Sequence, residues 1–322
     1  MAKLKIHQLL VGIVVGAPGL LHADLRDSLD VPELTPFSQI YPAHRSFDAT
    51  DAWQIALQYD LANTQIYETK ADESMALDLE YERRSITFER GFGEDWAISI
   101  SVARGAYREG STDAFIERWH DTFGLPNGAR DKYPQDLIAL RFARAAESAI
   151  DIQESQSALL DTHLQVSKRL NKKHSLGVWA TVPTGNEKRW LGADGVNLGV
   201  AWSYTSAFSD MGTWFASIGG MKLADSPSPL LRNKDFATRF TLGGSWLLNE
   251  SAALKLQMHG HTAFYDSDLA PLGDDALVLV MGGTVRLSEE WLLDISVTED
   301  LAVDASPDVG FHMRLTWHSG RD

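Results

Sequence analysis

Period-two alternation of apolar and polar residues, in runs of about ten, constrains this chain more than any other feature. Trp53, Ile55, Leu57, Tyr59 and Leu61 alternate with Gln54, Ala56, Gln58 and Asp60. Successive side chains of an extended strand point to opposite faces, so such a run makes a strand with one apolar and one polar side. The pattern recurs down the chain. Trp96, Ile98, Ile100 and Val102 oppose Ser99 and Ser101, and Leu160, Leu164 and Val166 oppose Asp161, His163, Gln165 and Ser167. Val196, Leu198, Val200, Trp202 and Tyr204 share one face. Phe236, Phe240, Leu242 and Trp246 oppose Arg239, Thr241 and Ser245, and Leu254, Leu256 and Met258 oppose Lys255, Gln257 and His259. Trp291, Leu293, Ile295 and Val297 oppose Asp294, Ser296 and Thr298, while Val309, Phe311, Met313, Leu315 and Trp317 oppose His312, Arg314 and Thr316.

Two architectures share this alternation. A soluble sandwich turns its apolar faces inward. A membrane barrel turns them to lipid and its polar faces to the lumen. Three features favour the barrel. The runs have the length that crosses a bilayer at a tilt. Trp and Tyr sit at strand ends, at Trp53, Trp96, Trp202, Tyr204, Trp246, Trp291 and Trp317, as an interfacial girdle requires. Connections alternate between short and long, as periplasmic and extracellular turns do.

The alternation of links sets the strand count. Short links are GFGED (91–95), LNKKH (170–174), TSAFSDMG (205–212), LNESA (248–252) and LSEE (287–290); long ones lie at 63–73, 105–157, 183–194, 224–234, 262–274 and 300–308. The order holds unbroken when 105–157 is one excursion and LIALRFAR (137–144) is not a spanning strand. The expected spans are then 51–62, 74–90, 95–104, 158–170, 174–182, 195–204, 213–223, 235–247, 253–261, 275–287, 291–299 and 308–317. The expectation is an all-β chain: a transmembrane antiparallel up-and-down β-barrel of twelve strands, with both termini on the periplasmic side.

The ends of the chain point the same way. MAKLKIHQLLVGIVVGAPGLLHAD has a basic start at Lys3 and Lys5, an apolar stretch from Leu9 to Leu21 and a small residue at Ala23. That order reads as a secretory signal peptide over 1–23. Pro32, Pro36 and Pro42 interrupt regular structure over 24–50, which reads as an irregular N-terminal periplasmic segment outside the main fold or tucked under it. The barrel occupies 51–322. Its last strand, FHMRLTW, resembles the C-terminal insertion signal of bacterial outer-membrane barrels. The expected place is therefore the bacterial outer membrane, with its lipid and the barrel-assembly machinery as partners. The net charge of −15 speaks against a nucleic-acid partner. The absence of Cys excludes a lipoprotein anchor, thiol nucleophiles and thiolate metal sites.

Within the excursion, STDAFIERWHDTFG reads as a short helix capped by Ser111, Thr112 or Asp113 and stopped by Gly124, followed by a Pro126-Asn127-Gly128 turn. FIERWHDTFGLPNGARDKYPQD (115–136), VPTGN (182–186) and PFSQIYP (36–42) together resemble a bacterial family, domain of unknown function 3187. The resemblance runs in order over nearly the whole mature chain and implies an outer-membrane β-barrel. It implies no activity. ALLD at 158–161 departs from the Gly-Leu-Gly-Asp expected there.

Candidate chemistry is sparse. His120 beside Asp121 has the composition of a general base with its orienter, but neighbouring helical side chains do not face each other. With Arg130 and Asp131 these residues read as fastenings of a loop that caps or constricts the outer mouth. His259 and His261 share a strand face, without the further ligands of a metal site. The polar faces bring Asp161, His163, Arg239, Lys255, Gln257, His259, Asp294, His312 and Arg314 to the lumen, a mixed-sign lining of the kind that selects solutes in a narrow pore. Three functions stay open: a channel or uptake pore for a small solute, a structural or adhesive barrel, and a lipid-modifying enzyme. For the last, His261 and Ser267 come nearest to a catalytic pair and have no third partner. No catalytic, metal or cofactor residue is assigned.

Overall fold

The computed structural model describes Leu25, residues 27–38, 52–110, 137–301 and 306–319, and isolated positions within 112–122. The expected signal peptide, His120, Arg130 and Asp131 lie outside the described residues. The alternating runs form β1 (Trp53–Lys70), β2 (Glu73–Phe92), β3 (Trp96–Arg108), β4 (Ala139–Arg144), β5 (Glu147–Ile152), β6 (Gln156–Leu159), β7 (Thr162–Arg169) and β8 (His174–Val182). They continue as β9 (Asn197–Ser209), β10 (Gly212–Lys222), β11 (Phe236–Asn249), β12 (Ala252–His261), β13 (Ala276–Arg286), β14 (Trp291–Asp300) and β15 (Val309–His318). Each wall strand pairs antiparallel with the next, and β1 returns to β15 with Ile55 opposite Trp317 and Tyr59 opposite Met313. β4 and β5 lie outside this ring, and β6 continues the wall position of β7 along β3. The result is a closed antiparallel barrel of twelve strands.

The two faces separate as alternation requires. Leu57, Ile98, Val178, Leu198, Ile218, Leu242, Leu254 and Ile295 are exposed on the outer surface. Gln58, Asp60, Thr241, Lys255, Gln257, Ser296 and Arg314 are buried on the inner one. An aromatic girdle circles the short-link end. Phe208 packs on Trp214 at 5.0 Å and Trp214 on Trp246 at 6.2 Å, while Arg90 lies over Trp53 and Lys168 over Trp96. Amphipathic rings with cations above them suit a boundary between hydrocarbon and water. Inside, Trp179 and Phe215 fill one side of the lumen across Gly199 and Gly243. A Cβ on Gly199 would stand 2.1 Å from the Trp179 ring, and one on Gly243 2.4 Å from the Phe215 ring. Glycine at these two strand positions makes room for a buried ring.

Three expectations need correction. Residues 63–73 are not a long link, because β1 and β2 run on for 18 and 20 residues and meet in a two-residue turn at Ala71 and Asp72. Leu160 does not join Leu164 and Val166 on the outer face. The register along β3 slips by one between Arg104–Leu159 and Ser101–His163, and this bulge turns both Leu160 and Asp161 inward. The N-terminal segment, described below, is not outside the barrel. LIALRFAR, excluded from the spanning strands, supplies β4, which pairs with the raised part of β2 from Glu73 to Asp78.

The raised strands cap the mouth. Ile66, Met75 and Leu77 on the β1–β2 hairpin join Leu140 and Phe142 of β4 and Ile150 of β5 in one buried apolar cluster. Leu231, Phe264, Leu269 and Leu272, from two long links, complete it; Leu272 lies in α1 (Ala270–Gly273), a single turn. Ionised side chains reinforce the cap. Glu73 accepts from Arg144, from the Ser267 hydroxyl at 2.7 Å and from the Asp268 amide at 2.7 Å. Within the excursion, Ala114, Glu117, Arg118, Asp121 and Thr122 have helical backbone, and Asp121 is exposed.

If the outer face meets lipid, Ile218→Arg is expected to cost about 2–4 kcal/mol in reversible folding into vesicles, the range for a cation near a bilayer midplane. A solvated face would tolerate the same change at under about 0.5 kcal/mol.

Candidate functional site: a polar lumen threaded by the N-terminal segment

Residues 27–38 run inside the barrel from the short-link end to the long-link end. Leu25 packs with Leu247, Ala253 and Leu292, all near short links. Leu29 and Val31 pack on Val280 in the mid-lumen. Phe37 reaches the capped mouth, where its ring meets Trp190 at 5.9 Å and its carbonyl accepts from the Tyr265 hydroxyl at 3.1 Å. The prolines that break regular structure here leave backbone groups without ladder partners, and the lumen side chains supply them. Gln257 accepts from the Leu29 amide at 3.0 Å and donates to the Leu29 carbonyl at 3.0 Å, as a neighbouring strand would. Gln58 donates to the Asp30 carbonyl at 2.8 Å.

Charged pairs hold the same segment. Arg314 donates to the Asp30 carboxylate at 2.5 Å and to Gln58 at 3.0 Å. His261 lies 2.6 Å from a carboxylate oxygen of Glu33. Behind these contacts lies a network made by the wall alone. Asp60, fully buried, faces Arg83 at 2.8 Å, Gln58 at 2.8 Å and the Nδ1 atom of His312 at 2.9 Å. Arg239 donates to the Nδ1 atom of His259 at 2.6 Å, and Gln257 stands 2.9 Å from the other ring nitrogen. Lys255 lies 3.7 Å from Asp294, which also accepts from Thr284. Buried ions need both opposite charge and hydrogen bonds to offset desolvation, and Asp60 and Arg314 have both.

The structure thus brings together Arg239, His259, Lys255, Asp294, His312 and Arg314 of the expected lumen set. His163 is buried on the opposite wall, on β7. Asp161 has a different setting. Its two carboxylate oxygens accept the Gly185 and Ala193 amides at 2.8 and 2.7 Å, clamping the 183–193 link over the bulge. Thr184 of the same link accepts from the Thr162 amide at 2.9 Å. Gly185 has no room for a side chain there, since a Cβ would stand 2.3 Å from the Leu191 carbonyl. The 158–161, 182–186 and 36–42 stretches therefore meet at one place through their described residues, with Phe37 against Trp190. Asp30, Glu33, Asp60 and Arg83 were not among the expected site residues. Asp60 lies on the polar face of an alternating run and was legible by parity. Asp30 and Glu33 sit in an aperiodic stretch that carries no such signal.

A family model described as Protein of unknown function (DUF3187) matches residues 26–318. The chain belongs to that family. The match takes in residues 27–38 and ends at the closing strand, so the threaded segment and the wall fall within one family unit. No curated protein matches the chain. Among solved structures, it is similar to the COG4313 outer membrane channel from Pseudomonas putida F1, at TM-score 0.56 and 13% identity, over 84% of this chain and 96% of that one. A likeness at that identity speaks for the fold alone. The CymD monoaromatic hydrocarbon channel (TM-score 0.43, 8% identity, 84% of this chain and 89% of that one) and the NanC porin (0.45, 8%, 84% and 100%) are too distant to add to it.

Asp60→Ala is expected to lower stability by about 3–5 kcal/mol, because it leaves Arg83 and its neighbours buried without a counter-charge. The measurement is the urea midpoint of the heat-modifiable folded band; a shift worth under about 1 kcal/mol would mean that water reaches this network freely.

Proposed function

We propose that this chain is an outer-membrane channel for small solutes, held closed in this structure by its own N-terminal segment. The observation that carries the reading is the fastening of residues 27–38 to the lumen wall through Gln58, Gln257, His261 and Arg314. These contacts are hydrogen bonds and ion pairs, which water can replace as the segment leaves. Its apolar packing, through Leu25, Leu29, Val31, Leu34 and Phe37, is the part of the fastening that withdrawal must expose. Once it is withdrawn, the lining that remains is polar and of both signs, with Arg239 and Lys255 on the paired strands β11 and β12 and Asp294 and Arg314 on the paired strands β14 and β15. Mixed charges of this kind discriminate among solutes in a constricted pore. In this reading the short-link end faces the periplasm and the capped end faces outside. Outer-membrane lipid surrounds the exposed belt, and the barrel-assembly machinery inserts the chain.

A second reading is a structural or adhesive barrel. The apolar cap favours it, because Met75, Leu77, Leu140 and Phe142 pack there as a buried core. The two readings part on deletion of residues 25–38. A channel gains steady conductance in planar bilayers, at least about tenfold above the intact chain, as expected when a mid-lumen obstruction is removed from a barrel of this size. A structural barrel stays silent, and Arg314→Asp, which sets a like charge against Asp30, then changes nothing either.

A further inference from the structure

A cavity lies at the capped end, between the upper part of the threaded segment, the Asp161 bulge and the links that follow β8 and β10. Its polar lining offers several acceptors, and the Ser38, Tyr265 and Asn233 donors in it are already spent on backbone carbonyls. Glu33, Asp161 and Asp225 contribute carboxylates. Asn233 spends its amide N–H on the Ala224 carbonyl at 2.6 Å, which leaves its buried Oδ1 with no hydrogen-bond partner among the described residues. Thr181 is 1% exposed, and its hydroxyl likewise has no partner among the described residues. Buried polar atoms left unpaired are costly, so two at one cavity point to a group that pairs with them. Arg83, the cation among the described lining residues, is already engaged by Asp60 at 2.8 Å. Asp161 accepts the Gly185, Ala193 and Thr184 amides, and its two oxygens together keep capacity for a further hydrogen. Rings complete the lining: Tyr81 and Tyr265 are buried, and Trp190 is held at φ 55 behind the Asn186 cap.

From this balance we infer that the cavity binds a compact primary ammonium, whose N–H groups meet Thr181, Asn233 and the carboxylates while its charge faces the aromatic rings. Asp161 and Asp225, with Glu33 shared with His261, disfavour an anion, and a neutral alcohol brings one donor where several acceptors wait. A quaternary ammonium satisfies the rings and none of the acceptors. Glu33 belongs to the threaded segment, so an occupant touches the plug directly. The inference rests on the channel reading to the extent that it names the solute class such a channel would admit.

The test titrates the purified full chain in detergent with butylammonium, followed by calorimetry and tryptophan fluorescence, beside butanol, butyrate and tetramethylammonium. Butylammonium is expected to saturate a single site about tenfold or more tighter than any of the other three. Thr181→Val together with Asp225→Asn is expected to weaken it about fivefold or more. If the pair fails to give the heat-modifiable band, Asp225→Asn alone, at an exposed position, is expected to weaken binding about twofold or more. No saturable binding, equal binding of all four probes, or folded variants that bind like the parent overturn the inference. Conductance after deletion of residues 25–38 needs no ligand. Conductance with no ammonium binding removes this site alone, and ammonium binding with no conductance removes the channel reading alone.

Discussion

Closure of the sheet, through the β1–β15 ladder, is the constraint on which the rest depends. Hydrocarbon offers no partner to a backbone amide or carbonyl, so a strand that crosses it must be paired on both sides. A ring of paired strands meets that demand and leaves no edge. Closure also fixes what faces inward. Alternation sends half of the wall side chains into the lumen, and a polar group buried there by the threaded segment needs a protein partner. Asp60 with Arg83, His312 and Gln58, and Lys255 with Asp294, are the wall's own answers.

The wall does not fill this space by itself. Gln58, Gln257, His261 and Arg314 turn part of their hydrogen-bonding capacity toward a passing segment that has no ladder of its own. The two are complementary: an aperiodic chain with unsatisfied backbone groups, and a lumen with polar side chains to spare. At the mouth the solution differs. The raised β1–β2 hairpin and β4–β5 leave the expected membrane zone, and water no longer penalises an irregular link there. Their inner faces become apolar and pack as a small globular core. One barrel thus contains two kinds of interior. A polar, hydrogen-bonded one runs through the wall, and a dry one lies above it, with the acceptor-rich cavity at the join.

Parity made most of the wall legible. Ile98 and Ile100 outward with Ser99 and Ser101 opposite, or Leu254 and Leu256 outward with Lys255 and Gln257 buried, follow from the two-residue period alone. The alternation of short and long links was enough to keep LIALRFAR out of the ring. The failures have local causes. Residues 63–70 (NTQIYETK) put polar side chains on both faces because the strand there rises above the exposed apolar belt, so the apolar signal stops while the strand continues. Leu160 misleads because a bulge shifts parity by one, and nothing in ALLD announces an inserted residue. Asp30 and Glu33 were invisible because their partners, Arg314 and His261, lie more than two hundred positions away and no local pattern links them.

The sequence by itself determined most of the wall strands and their faces, the twelve-membered ring and the wall residues on its polar side, because each of these depends on neighbours two positions apart or on the length of the next link. Tertiary structure alone decided which lining residues pair, where the bulge throws Asp161, and that the N-terminal segment lies within the ring rather than beneath it. Those outcomes depend on which groups remain unsatisfied once the ring has closed. That is a property of the assembled interior, and no stretch of the chain carries it before closure.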